Sequence, residues 1–191
     1  MNFLSKIKNR KVWCAASTHP SEEIFCTNIF QNLRKNKNEI IILIPRHVER
    51  ANLIEKALNN KNLVVHKHSS RKKISKNTDV YLVDTYGEVK KFLGFSKITF
   101  IGGSIIPHGG QNPLEAVRQN AMVIHGPNIQ NFKEIYDFLK KEKISFQFNN
   151  YRQAIHIIKS KNSINQNTKI KLKNISSKII TNTKIELSKY V

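Results

Sequence analysis

The sequence predicts a doubly wound α/β fold with a mostly parallel sheet, for three reasons. Apolar segments with the length of strands alternate with segments of helical spacing along most of the chain. The segment Glu39–Ile44 (EIIILI) is apolar on both faces, as a strand must be when helices cover both sides of a parallel sheet. Polar motifs directly follow several predicted strands, and open α/β sheets bind their ligands at that edge.

The predicted strands are short apolar runs, and the predicted helices carry apolar residues three and four positions apart. In chain order the elements are strand Val12–Ala16, helix Ser21–Asn36, strand Glu39–Ile44, helix Val48–Leu58, strand Leu63–His66, strand Asp79–Val83, helix Glu88–Leu93, strand Lys97–Ile101, helix Pro113–Asn120, strand Met122–His125, helix Phe132–Lys141, strand Ile144–Phe148 and helix Tyr151–Ser160. Residues 12–160 therefore form one domain. The Lys- and Asn-rich tail, 161–191, carries apolar Ile175, Ile179, Ile180 and Leu187, which predict a C-terminal helix of modest stability.

Length and composition fit one domain. The 191 residues are 39% hydrophobic, which suffices for a single core. We expect a soluble, cytosolic chain with no transmembrane segment, because no apolar run reaches about 18 residues and no apolar stretch follows the basic start. Cys14 and Cys26 are too few for a disulfide scaffold and are expected to be reduced structural thiols. A zinc site of Cys14, His19 and Cys26 would lack a fourth ligand nearby.

The formal charge is +20, from 33 Lys and Arg against 13 Asp and Glu. Such an excess attracts nucleic acid or an anionic membrane. The basic residues are spread along the whole chain, however, and no zinc finger, helix-turn-helix or RNP-like pattern accompanies them. We therefore expect no nucleic-acid partner, and an anionic membrane surface remains an expected partner.

The strongest functional signal is the segment Thr99–Glu115 (TFIGGSIIPHGGQNPLE). Here a strand leads into a glycine-rich loop, residues 102–113, and then into a predicted helix start. Glycines allow backbone N–H groups to approach a ligand, and a helix N-terminus favours a phosphate. Neither the G-x-G-x-x-G nor the P-loop pattern occurs, so no motif supports an NAD or ATP site.

Five segments occur in an order and spacing typical of one family: ASTHPSEE, IPRH, DTYGE, FIGGSIIPHGGQNPLE and HGPNIQNFKEI. From about Val12 into the tail, the chain resembles the C-terminal half of bacterial 3-deoxy-D-manno-octulosonic acid (Kdo) transferases. The resemblance implies the Rossmann-like C-terminal domain of a GT-B glycosyltransferase. This domain would bind CMP-Kdo, and an N-terminal domain would bind the lipid A precursor. Kdo would be transferred with inversion and release of CMP, in lipopolysaccharide biosynthesis at the cytoplasmic face of the inner membrane.

Three features depart from the family pattern. Ser21 stands where the family usually has Gly, and Gln111 stands where it usually has His. Met1 falls at the position of the interdomain linker, so residues 1–11 are interpreted as a remnant of it. The N-terminal domain would carry the membrane anchor, the acceptor site and the glutamate that acts as catalytic base. We therefore expect no catalytic residue in this chain and no complete reaction by it alone.

The glycine-rich loop supplies most of the predicted donor site. The N–H groups of Gly102 and Gly103, with Ser104, are candidates to bind the CMP phosphate or the Kdo carboxylate, although such a loop can also be only a tight turn. Gly109, Gly110, Gln111 and Asn112 would continue this cradle. Glu115 suits a ribose hydroxyl, but Asn112, Pro113 and Glu115 also fit a capping box. Resemblance to GT-B donor sites favours the ribose.

Other candidates lie in the loops after other strands. Arg46, beside His47, suits bidentate contact with a phosphate or carboxylate, but it is also compatible with a solvated surface side chain. His19 and His108 are candidates for the leaving phosphate or the sugar, and equally for hydrogen bonds within turns. The remaining candidates are Tyr86, Gly87 and Glu88 for the cytosine, where Glu88 also suits a first helical turn, together with Ser17 and Asn131.

No Asp-x-Asp pair occurs, so a metal-dependent transfer is not supported and no metal or cofactor is expected. Arg46, backbone N–H groups and the helix dipole would stabilise the leaving CMP. Two other classes remain: a basic nucleic-acid-binding protein, and another nucleotide-sugar enzyme such as a UDP-GlcNAc epimerase-like GT-B protein. Salt-dependent DNA binding would identify the first and a preference for UDP over CMP the second.

Overall fold

A computed structural model describes residues 7, 10–36, 38–70, 72–161, 170–175, 177–178 and 181. The described strands form one sheet in which every pairing is parallel. They are β1 (Lys11–Thr18), β2 (Glu39–Pro45), β3 (Val65–Lys67), β4 (Val80–Leu82), β5 (Ile98–Ile101), β6 (Met122–His125) and β7 (Ser145–Gln147), in the spatial order β3-β4-β2-β1-β5-β6-β7. The predicted doubly wound fold is confirmed.

Six α-helices accompany these strands in the described residues between 22 and 161. They are α1 (Glu22–Leu33), α2 (Ala51–Asn59), α3 (Val89–Leu93), α4 (Leu114–Arg118), α5 (Lys133–Lys141) and α6 (Tyr151–Lys161). Single 3₁₀ turns at Val48–Arg50 and Gln130–Phe132 precede α2 and α5. No helix among the described residues is long and apolar enough to cross a membrane.

The core is centred on β1 and β2. Ile40 to Ile44 are all buried, and successive strand residues point to opposite faces, so helices cover both sides of the sheet. On one face α1 packs against α6. The rings of Phe25 and Phe148 stack 5.6 Å apart, and the Tyr151 hydroxyl donates to the Asn28 carbonyl at 2.7 Å. This packing fixes α1, whose first turn enters the candidate site.

Several predicted boundaries were wrong by a few residues. Helix α1 starts at Glu22 because Ser21 has a φ of 74°, and it ends at Leu33 because Arg34 is extended. Strand β3 lies at Val65–Lys67 rather than Leu63–His66, since the Val64 N–H donates to the Asp79 carboxylate at 2.9 Å. The predicted helices from Val48 and Phe132 begin as 3₁₀ turns.

The segments that flank the domain also contact it. Ile7 is buried in the core, and the Arg10 guanidinium donates to the Glu39 and Thr78 carbonyls at 2.6 and 2.7 Å, so these two residues of the predicted linker remnant pack on the domain. In the predicted tail, residues 170–175 are helical and Leu172 is buried. Ile179, Ile180 and Leu187 lie outside the described residues.

Candidate functional site

The site lies at the carboxyl edge of the sheet, beside β1, where the strand order changes direction. Strands β2, β4 and β3 lie on one side of β1, and β5, β6 and β7 lie on the other. Open α/β folds bind ligands at such a switch point. The loops after β1 and β5 approach each other closely there. The Gly102 N–H donates to the Ala16 carbonyl at 2.9 Å, and a Cβ on Gly102 would lie 2.1 Å from the Ser17 carbonyl oxygen. Only glycine permits this approach.

Glu22, the first residue of α1, joins these two loops. Its side chain is fully buried, and its carboxylate accepts four backbone hydrogen bonds. One oxygen, Oε2, accepts the N–H groups of His19 (3.0 Å) and Gly103 (2.8 Å). The other, Oε1, accepts those of Ser104 (3.1 Å) and Ile105 (3.0 Å). A buried carboxylate needs such compensation, and the aligned N–H groups together with the first turn of the helix supply it.

This arrangement corrects the expected role of Gly102, Gly103 and Ser104. Their N–H groups do not face a ligand, because Ala16 and Glu22 already accept them. The Ser104 hydroxyl is buried as well. It donates to the Ile101 carbonyl at 2.6 Å and accepts the Gly126 N–H at 2.9 Å. In the first half of the glycine-rich loop, the N–H groups of residues 102–105 therefore all have acceptors within the protein.

The second half of the loop is attached to the segment after β6. The Asn131 side chain donates to the His108 carbonyl at 3.1 Å, and the Asn131 N–H donates to the Gly109 carbonyl at 3.0 Å. The Gly110 N–H donates to the Gly103 carbonyl at 2.8 Å, and the Tyr136 hydroxyl to that of Gln111 at 2.9 Å. Asn131 thus holds the loop, a role that the sequence did not predict.

Three amides of this second half differ from the rest. The N–H groups of Gly109, Gln111 and Asn112 donate to no group within the described ranges. Gly109 and Gly110 have φ values of 96° and 80°, which side chains rarely adopt. We call these three amides, which have no acceptor among the described residues, the open donors; they lie in residues 109–112, where Gly109 is buried, Gln111 is half-buried and Asn112 is exposed.

Three histidines from three loops meet beside this segment. The His19 ring lies 4.2 Å from that of His108 and 5.7 Å from that of His47, between centroids. His19 Nε2 is 3.2 Å from the Gln111 side-chain nitrogen. Since that amide nitrogen can only donate, His19 Nε2 is the acceptor and Nδ1 carries the proton.

The surroundings of His19 favour its neutral form, which the sequence did not predict. The pKa of His19 is lowered to about 4, mainly by burial and in addition by its neighbours His108, His47, Arg46 and Arg50. The ring is only 4% exposed, whereas His108 and Arg46 are exposed. His19 therefore lies below the surface of the site, and His108 and Arg46 present their side chains to solvent. No group of three or more His, Cys, Asp or Glu side chains among the described residues could hold a metal ion.

Arg46 is well placed for an anionic ligand. Its N–H donates to the Thr18 carbonyl at 2.9 Å, which ties the end of β2 to that of β1. Its guanidinium makes no hydrogen bond or ion pair with any described residue. Nearby His47 Nδ1 lies 3.4 Å from the Glu49 carboxylate. The Arg46 side chain is thus exposed at the site, and its charge has no counter-ion among the described residues.

The loop after β4 brings Tyr86, Gly87 and Glu88 to the same edge. Tyr86 is 70% exposed, and its hydroxyl donates to the Glu49 carboxylate at 3.0 Å, which links this loop to the one after β2. Gly87 has a φ of 78°. Glu88 precedes α3, and its Oε1 accepts a hydrogen bond from Lys91 Nζ at 2.9 Å, which lowers the pKa of Glu88.

The capping box, which was the alternative role for Asn112, Pro113 and Glu115, forms only in part. The helix starts at Leu114, whose N–H donates to the Asn112 side chain at 2.9 Å. Glu115 does not cap: its carboxylate lies 3.2 Å from Arg118 and 3.9 Å from Lys90. The Lys90 contact brings the start of α3 to the start of α4, so Glu115 lies near the loop that carries Tyr86.

Sequence reasoning missed Glu22, Tyr136 and Gly126. Two adjacent acids, Glu22 and Glu23, in a first helical turn are typical of a solvated N-terminus. Both are buried instead, and Glu23 binds Arg50 at 2.8 Å. The signal available was their position directly after a strand and a proline, where the helix start lies over the sheet edge.

The site can be set beside known proteins. No family model matches the chain. The 3-deoxy-D-manno-octulosonic acid transferase of Haemophilus influenzae is 36% identical over 149 residues, which are 78% of this chain and 35% of that protein. The enzyme of the same name from Rickettsia typhi is 34% identical over 168 residues, 87% of this chain and 36% of that protein. The chain thus spans about a third of the length of these curated relatives.

A solved structure decides the family. The C-terminal CMP-Kdo binding domain of WaaA from Acinetobacter baumannii superimposes with a TM-score of 0.80 at 30% identity, over 91% of both chains. The chain belongs to the Kdo transferase family. The spinosyn rhamnosyltransferase SpnG, with a TM-score of 0.58 and 9% identity, shares the fold alone. Within the Kdo transferase family, the present chain corresponds to the C-terminal domain, and its glycine-rich loop lies at the switch point.

Proposed function

We propose that this chain is the donor-binding part of a Kdo transferase and binds CMP-Kdo at the carboxyl edge of its sheet. The observation that carries the proposal is the match, over 91% of both chains, to a domain described as CMP-Kdo binding. The location of the polar loops at the switch point supports the same site independently, since it follows from topology and not from the relative's name.

The donor carries two anionic groups, one phosphate and the Kdo carboxylate. The residues best suited to them are Arg46, His108 and the open amides of Gly109, Gln111 and Asn112. Hydrogen bonds to the charged oxygens of phosphate and carboxylate groups are the strong ones, and the Arg46 guanidinium adds a charge of its own. Gly103 and Ser104 take no part in this contact, because Glu22 occupies their N–H groups.

The nucleoside would lie toward α3 and α4. Glu115 would accept hydrogen bonds from ribose hydroxyls, and Arg118 beside it would keep the carboxylate in place. The exposed loop of Tyr86, Gly87 and Glu88 would flank the cytosine. The Lys90–Glu115 contact supports this arrangement, because it brings the two predicted nucleoside contacts together.

The transfer itself would need a second domain. The proposed reaction moves Kdo to a lipid A precursor with inversion, without a metal ion, at the cytoplasmic face of the inner membrane. The base and the acceptor site would be supplied by an N-terminal domain, so this chain alone would be inactive. Its +20 charge would favour an anionic membrane surface.

The test is calorimetric titration with CMP, with UMP and AMP as competitors. We expect selective CMP binding that EDTA does not change. Arg46→Ala and Glu115→Ala should each weaken it by roughly ten- to a hundredfold, the value of one hydrogen bond to a charged group. Arg152→Ala, an exposed arginine on α6, is the matched control and should bind like the wild type.

Two outcomes would contradict the proposal. Preference for UMP over CMP would indicate another class of nucleotide-sugar enzyme. Absence of nucleotide binding by the folded chain would contradict a donor site in it. A strict requirement for Mg²⁺ would contradict only the metal-independent mechanism.

A further inference from the structure

We propose that Glu22 is a positioning residue of the donor site: its buried carboxylate holds the first half of the glycine-rich loop, so that the second half is shaped to receive the donor's anionic group. This inference rests on the proposed function, since the site it organises is the donor site. Glu22 itself touches no ligand, because it is fully buried.

Glu22 lies where backbone N–H groups of the glycine-rich loop converge. Successive N–H groups of Gly103, Ser104 and Ile105 converge on its two oxygens at 2.8 to 3.1 Å. Convergent backbone N–H groups of this kind are an anion-binding arrangement in glycine-rich loops. Here the anion is part of the protein, so this part of the loop has no capacity for a phosphate.

The hydrogen-bond partners of Glu22 differ from those of the other buried carboxylates. Buried carboxylates of this domain otherwise bind arginines: Glu23 binds Arg50 at 2.8 Å, and Asp79 binds Arg34. Glu22 makes no ion pair within the described residues, and its four acceptor contacts all go to backbone N–H groups of the two loops at the site. The hydrogen bonds of the Glu22 side chain thus all go to the loops that flank the switch point.

Hydrogen bonds connect Glu22 to the segment that carries the open donors. The N–H of Gly103 binds Glu22, and the carbonyl of Gly103 accepts the Gly110 N–H at 2.8 Å. Glu22 also accepts the His19 N–H, and the His19 ring contacts Gln111. Hydrogen bonds from one carboxylate therefore lead, through Gly103 and through His19, to Gly110 and Gln111, the two middle residues of the open segment 109–112.

The experiment compares the wild type with Glu22→Gln. A glutamine in either orientation turns an NH₂ group toward two of the four N–H donors, so two lose their acceptor. We expect a folded protein of lower stability, with a Kd for CMP at least tenfold higher, measured by calorimetry well below the unfolding temperature. Glu22→Asp keeps the charge on a shorter side chain and should recover part of the affinity.

The control is Asp79→Asn, which alters a carboxylate that is 1% exposed and lies before β4, at the opposite edge of the sheet. It accepts hydrogen bonds from Arg34 and from the Val64 N–H. This variant should lose stability and bind CMP like the wild type. A loss of CMP affinity in both variants would mean that general destabilisation weakens binding, and it would overturn the positioning role.

Amide chemical shifts separate this inference from the proposed function. In Glu22→Gln the signals of Gly109, Gln111 and Asn112, which do not touch Glu22, should shift along with those of Gly103–Ile105. Unchanged signals in the second half, or an unchanged Kd for CMP, would overturn the inference. If the wild type binds no CMP, the proposed function fails, and the signals of residues 109–112 alone decide whether Glu22 positions them.

Discussion

Stability should fall sharply between pH 7.5 and pH 5 because His125 is buried in its neutral form. The side chain is 2% exposed at the end of β6, with its ring centroid 4.4 Å from that of Tyr136 and Nδ1 2.6 Å from the Gly126 carbonyl. The pKa of His125 is lowered from 6.5 to about 4, mainly by burial; the carbonyl contact opposes this shift, and nearby Lys140 contributes to it.

The sign follows from proton uptake. Between pH 6.5 and pH 4 the unfolded chain binds a proton at this histidine and the folded chain does not, so acid favours unfolding. The contribution of His125 is fully present above pH 6.5 and is lost as the pH falls toward 4. Each pH unit between the two pKa values is worth about 1.4 kcal/mol, so about 2 kcal/mol is lost between pH 7.5 and pH 5.

The assay is urea unfolding at both pH values for the wild type and for His125→Phe, which keeps a ring of similar size. The free energy of unfolding of the variant should fall by about 2 kcal/mol less over this interval, since it has no proton to take up. His156→Asn, an exposed position on α6, is the control and should keep the wild-type difference. Equal differences for the wild type and His125→Phe would refute the reasoning.

Two further predictions concern the glycine-rich loop. Gly102→Ala should lower the free energy of unfolding by about 1–3 kcal/mol in urea titrations, because the new Cβ would lie 2.1 Å from the Ser17 carbonyl oxygen; wild-type stability would contradict the close approach of the two loops. Tyr136→Phe leaves the Gln111 carbonyl without its donor, so stability should fall by about 1 kcal/mol and the Kd for CMP should rise. Tyr151→Phe, which loses a hydroxyl bonded to Asn28 on α1, should cost similar stability without changing the Kd; equal Kd changes would count against a role of Tyr136 in the site.

The fold was predictable because its central strands carry strong local signals. The run Glu39–Ile44 is apolar on both faces, and it lies at the centre of the sheet as β2, next to β1. The ends of elements depend on contacts between distant residues. Helix α1 stops at Leu33 where Arg34 turns away to bind Asp79, and no local pattern indicates a partner 45 residues further along the chain.

The place of the site was predictable, and the division of labour within it was not. Parallel strands end at one edge, so the motifs after β1, β2, β4 and β5 had to lie near one another. Which N–H groups stay open depends on Glu22, whose partners Gly103, Ser104 and Ile105 are 81 to 83 residues away in sequence. The glycine content of the loop does not indicate which of its N–H groups have acceptors within the protein and which stay open.

The two outermost strands of the sheet, β3 and β7, limit the length of its unpaired edges. Strands β3 and β7 are each three residues long, and the other described strands are paired on both sides. Unpaired strand edges are templates for the addition of strands from other molecules, and very short edges limit such growth. The sheet therefore offers little edge for self-association, and the high positive charge adds repulsion between copies. We expect the isolated domain to resist aggregation at concentrations that calorimetry and NMR require.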